Sequence, residues 1–98
     1  MDYYGMSDKA IVREMGRRVR RKRLERNMTQ QEIADRAGIN RTTVSDLERG
    51  QMFGMLTLLQ VLRALNALDS VDAFLPDPGI SPLQLAKLRG KERQRASS

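Results

Sequence analysis

Two short helical stretches, punctuated by Gly38 and Gly50, follow one another between Thr29 and Gly50. An isolated helix shorter than about 12–15 residues is marginal in water. These two must therefore be held by packing against each other and against their neighbours. Thr29-Gln30-Gln31-Glu32 has the T-x-x-E capping-box pattern, in which hydroxyl and carboxylate satisfy free N–H groups at a helix start. Gly38 suits the left-handed position that ends this helix. Asn40 is an N-cap for the next one, Arg41 to Arg49, and Gly50 closes it. Ile33, Ala37, Ile39, Val44 and Leu47 fall on the inward faces, and Ala34 is small where the helices cross. The pattern predicts two helices packed at a steep angle, the second projecting from the surface.

The flanks supply what the pair packs against. Ser7 or Asp8 caps a first helix, and Ile11, Met15 and Val19 form its apolar stripe at helical spacing. The same spacing then lands on Arg23, a charge on the face that should be buried. Asn27 ends this helix. A fourth helix is expected from Leu56 to Leu68, with Leu58, Leu59, Val61, Leu62, Leu65 and Leu68 on a wide apolar face. A short fifth helix fits Ser70 to Leu75, before Pro76, Pro78 and Gly79 break the chain. Ser81 is placed to cap a last short helix, Pro82 to about Leu88. Without an alternating strand pattern, the fold class is all-α. The division is a flexible arm at 1–8, a domain at 9–75 and an extension at 76–98 with a basic tail.

Charge and composition narrow the chemistry. The 98 residues contain 18 Lys+Arg against 12 Asp+Glu, a net charge of +6. Clustered basic residues are an electrostatic footprint of nucleic-acid binding, although charge alone also fits a merely basic surface. There are no cysteines and no histidines. Thiolate zinc sites and the commonest general base are thereby removed, and neither an enzyme nor a cofactor or metal is expected. Aromatics are 4% of residues, too few for base-stacking platforms of a single-strand binder. The polar residues from Met1 to Ala10 do not read as a signal peptide, and no apolar run suits a bilayer. The expectation is a cytoplasmic protein.

Residues 29–50, T-Q-Q-E-I-A-D-R-A-G-I-N-R-T-T-V-S-D-L-E-R-G, resemble the helix-turn-helix of the lambda-repressor/Cro-like, or XRE, transcription regulators. The likeness extends over about residues 11–75 and implies a compact five-helix DNA-binding domain. It implies that the helix from Asn40 enters the major groove of double-stranded DNA, with its N-terminal residues at base edges. Arg41 and Thr42 are then candidate base readers, with Asp46 one turn on. Asp46 can accept from a cytosine amino group or be a solvated helix residue. Thr43 and Ser45 can face base, phosphate or water. Gln30 matches a phosphate-contacting position at a helix N-terminus. Asn40, Arg49 and first-helix arginines, Arg17 and Arg20 among them, are further backbone candidates that position without specifying sequence. In relatives an arginine at the place of Arg23 pairs with the glutamate ending the recognition helix, here Glu48, which gives both residues an architectural role.

The turn Gln51-Met52-Phe53-Gly54 is polar or basic in many relatives. Here Met52, Phe53 and Met55 either fold back onto the core or form an apolar patch for a partner. The resemblance also implies a homodimer on a palindromic operator, with Val71, Ala73, Phe74 and Leu75 in the dimer region. Phe74 is the best anchor, or else a cap on the monomer core. Ile80 to Arg95 resembles tails of XRE-type antitoxins paired with HipA-type kinases. Two functions thus stay open: an operator-binding repressor, and an antitoxin that neutralises a toxin kinase while repressing its own operon.

Overall fold

The computed structural model describes residues 1–79. Five α-helices follow one another: α1 (Asp8–Glu25), α2 (Gln30–Ala37), α3 (Arg41–Glu48), α4 (Met55–Ala64) and α5 (Asp69–Phe74). No strand occurs among the described residues. The expected last helix, Pro82 to Leu88, and the basic tail lie outside them.

Local chemistry sets each boundary. Ser7 caps α1, its hydroxyl accepting from the Ala10 N–H. Asn27 ends the helix in the left-handed region at φ 53°. Met28 N–H returns to the Arg23 carbonyl and Asn27 N–H to the Leu24 carbonyl, so carbonyls that the helix leaves free are satisfied. The capping box of α2 is complete: Thr29 Oγ1 accepts from Glu32 N–H, and Glu32 Oε1 accepts from Thr29 N–H, both at 3.0 Å. Gly38 follows at φ 69°, a conformation that carries no Cβ penalty in glycine.

The helices close over one core. Ile33, Val44, Leu47 and Val61 are completely buried, as is Ala34 on α2. Val19 brings in α1, and Leu58, Leu62 and Leu65 bring in α4 and its end. Ala37, Ile39 and Met15 pack around the margin half-buried.

Four local expectations are refined by the structure. The helix expected over Leu56–Leu68 begins at Met55 and stops at Ala64. Asn66 takes φ 56°, and Ala67 N–H closes onto the Leu62 carbonyl at 2.8 Å. Asparagine tolerates this conformation better than most residues, and the turn lets Leu65 and Ala67 be buried without extending the helix. The fifth helix accordingly starts at Asp69 and ends at Phe74. Asn40 occupies the N-cap position of α3 with extended backbone, but its side chain makes no capping bond. Within the first eight residues, Tyr3–Gly5 form a 3-10 turn, because the Asp2 carboxylate accepts from the Tyr4 and Gly5 N–H groups. The Arg18 guanidinium lies over the Tyr3 ring, 5.9 Å from its centroid.

Candidate nucleic-acid interface

Val44, Leu47 and Glu48 turn one side of α3 into the protein. What remains outward is a line of Thr42, Asp46 and Arg49, at i, i+4 and i+7, flanked by Ser45 and Arg41. Arg41 and Thr42 are exposed, and Thr43, Ser45 and Asp46 are half-buried. Arg41 forms no ion pair among the described residues, so its five donors are free for another acceptor.

A buried ion pair fixes how far α3 stands out. Arg23 Nε donates to Glu48 Oε2 at 2.7 Å, and Arg23 Nη2 donates to Glu48 Oε1 at 3.0 Å. A third donor, Nη1, reaches the Met28 carbonyl at 2.9 Å. The hydrogen bonds to Glu48, aided by its charge, hold the Arg23 guanidinium above its already high pKa despite partial desolvation. Each nitrogen of the guanidinium on the buried stripe of α1 therefore has a partner, and no buried side-chain polar atom lacks one among the described residues.

Gln30 joins this network, its Nε2 donating to Glu48 Oε1 at 3.2 Å. The side chain read as a phosphate contact is thus partly engaged inward. The backbone around it is not: the first N–H groups of any α-helix have no partner inside it. At α2 these belong to Gln30 and Gln31, at the end of the helix that carries partial positive charge. Gln30 and Gln31 also line a shallow cleft of about 540 Å³ together with Leu24, Asn27 and Arg41. Asn40, its side chain uncommitted to capping, lies just before Arg41.

The arginines of α1 divide by partner. Arg17 and Arg18 both pair with Glu14 at 3.2 Å, and Arg21 pairs with Glu25. Arg20 is exposed and without an ion pair among the described residues. Arg13, Arg17 and Arg20 repeat at i, i+4 and i+7, and Arg13 lies against Gly50 at the end of α3. Arg13 thus extends the basic flank, a residue the sequence reading passes over because it precedes the dense run. Arg49 pairs with Asp46 along the outer line of α3.

Gly16 is a second omission. A Cβ there would sit 2.3 Å from the Leu47 carbonyl oxygen and 2.9 Å from that of Glu48. Only glycine lets α1 approach α3 this closely. The signal present in the sequence is a glycine in mid-helix, next to Met15 on the apolar stripe.

The turn after α3 splits between its two expected fates. Phe53 packs on the core half-buried, whereas Met52 is 98% exposed and Met55 and Leu56 are exposed beside it. Packing of Met52, Phe53 and Met55 together onto the core does not occur. In α5, where the sequence resemblance implies a dimer contact, no residue is buried: Val71 is 37%, Phe74 53% and Leu75 74% exposed, with Ala73 exposed between them. Phe74 therefore does not close over the monomer core.

Among the described residues no helix is long and apolar enough to cross a membrane, and no group of side chains is arranged to hold a metal ion. No curated protein matches the chain. The family model described as helix-turn-helix matches residues 19–70, from within α1 into α5, and does not reach the tail. That match spans the capping box, the left-handed Gly38 turn and the projecting α3. The chain belongs to the XRE-type helix-turn-helix family and is a DNA-binding transcription regulator.

Proposed function

We propose that the protein is an operator-binding repressor that acts as a homodimer on palindromic double-stranded DNA. The outward line of α3 supports this most strongly: polar and charged groups project from a helix whose other side is anchored by Val44, Leu47 and the Arg23–Glu48 pair. A helix so mounted fits the major groove, where each base pair presents its own donor and acceptor pattern. In this reading Arg41 and Thr42 meet base edges. Gln30, through the free N–H groups of its helix end, together with Asn40, Thr43, Ser45, Arg17 and Arg20, holds phosphates.

Dimerisation is supported by α5. A six-residue helix with no buried residue has too few internal bonds to hold itself. Contact of Val71, Ala73, Phe74 and Leu75 across a two-fold axis would cover the apolar surface that the monomer leaves open. The antitoxin alternative would run through residues 80–95 as an additional protein contact, and a kinase co-purifying with the chain is its signature.

Arg41→Ala tests the base-reading role. Its loss on the preferred duplex is expected to be about 1–3 kcal/mol, with relaxed selectivity at one base pair per half-site. Fluorescence anisotropy on preferred and scrambled duplexes measures this. Equal losses on both would make Arg41 a phosphate contact.

A further inference from the structure

We propose that Arg49 serves base recognition through Asp46, as a positioning residue rather than a phosphate contact, and that the pair reads a cytosine. The inference rests on the operator-binding reading above and deepens it. Asp46 occupies the middle of the outward line of α3, one turn beyond Thr42. A carboxylate there would enter a groove bordered by phosphates, where a bare negative charge is repelled. The structure shows what neutralises it: Arg49 Nη2 binds Asp46 Oδ1 along the same helix face. Of the two charges on the outer line, each is the other's partner. Glu48, the other acid of α3, is turned inward onto Arg23.

The pairing also orients the carboxylate. Arg49 takes one oxygen, and among the described residues nothing donates to Oδ2. A carboxylate oxygen accepts and cannot donate, so the group it suits in the major groove is an exocyclic amine. Cytosine offers its N4 amino group there, and a carboxylate accepting from it is an established pairing geometry. Guanine and thymine edges present acceptors that would repel the same oxygen. Adenine sets its N7 acceptor beside its N6 amine, so cytosine alone offers a donor with no acceptor next to it on the same base. Asp46 thus discriminates by attraction to one base and repulsion from others, provided that Arg49 offsets its charge.

A double-mutant cycle on the full chain tests this, using the consensus duplex selected from a random library and that duplex with the cytosine position varied. Asp46→Ala is expected to flatten the preference at one base pair per half-site. Arg49→Met is expected to weaken binding about fivefold in the wild-type background and less than about twofold in the Asp46→Ala background, because coupled residues are non-additive. It should also reduce selectivity at the same base pair that Asp46→Ala flattens. Both side chains are on the surface, and circular dichroism of each variant checks that folding is retained. If Arg49→Met costs the same factor in both backgrounds and leaves base preference unchanged, Arg49 is a phosphate contact and the proposal is overturned. If the wild-type chain selects no consensus at all, the operator-binding reading fails and takes this one with it. An additive cycle on a selected consensus overturns only the role of Arg49.

Discussion

Arg23 shows how one residue can break a pattern and thereby reveal a contact. Its place on the apolar stripe of α1 is costly unless its polar atoms find partners, and each guanidinium nitrogen has one, in Glu48 or the Met28 carbonyl. Stranding one charge of a buried pair typically costs about 3–5 kcal/mol, whereas replacing both by apolar groups can be neutral. Arg23→Met is therefore expected to destabilise strongly, and Arg23→Met with Glu48→Leu to recover much of the loss. Because Gln30 also donates to Glu48, the recovered value should fall short of complete. Urea unfolding of the four proteins measures the coupling, and strictly additive losses would remove the pair from the architecture. The anomaly was legible because a charge at a buried helical position demands a partner, and the family resemblance, not the spacing, pointed to Glu48 as that partner. Gly16 was not, since its role depends on how near the Leu47 carbonyl comes, and no periodicity encodes that distance.

Elements whose ends are set by their own sequence were legible, and elements whose ends are set by tertiary packing were not. The start of α2 is fixed within Thr29–Glu32 by reciprocal bonds between near neighbours. The end of α4 is fixed by burial of Leu65 and Ala67, so an apolar run that continues to Leu68 overstates the helix. The capping box makes an expectation about acid. The hydrogen bonds from Thr29, backbone first and then hydroxyl, hold the Glu32 carboxyl below its usual pKa. A depressed folded-state pKa contributes stability above the unfolded value, and that contribution is lost as pH falls through the folded one. The advantage of the wild type over Glu32→Gln is accordingly expected at neutral pH and should close on acidification below the usual glutamate range. Thermal melts across that range test it, and a gap independent of pH would contradict the ionised cap. At the other end of the chain, α5 leaves its apolar side chains uncovered. Phe74→Asp is expected to dissociate the dimer and lower operator affinity while helical content persists. Sedimentation with circular dichroism reads both. A folded, fully dimeric variant would place the interface elsewhere, and an unfolded one would assign Phe74 to the fold of the monomer.

At the scale of the whole molecule, the described chain is a mounting for one projecting helix. Gly16 lets α1 press against the back of α3, and the Arg23–Glu48 pair pins its end. Arg13, Arg17 and Arg20 lie along the adjoining flank, and the start of α2 shares a cleft with Arg41. Each phosphate neutralised by these groups should steepen the logarithmic salt dependence of binding by about 0.9. Two copies related by a two-fold axis through α5 would present two α3 helices to successive major grooves on one face of a duplex. Successive faces recur every ~34–36 Å along B-DNA, which fixes the expected separation of the half-site centres at about one helical turn. Selection of bound duplexes from a random library measures this directly. The expected result is a palindromic consensus whose half-sites lie about one turn apart and which loses definition at one base pair per half-site in Arg41→Ala. Recovery of duplexes with no shared sequence, bound as tightly as any other DNA, would contradict sequence-specific operator recognition.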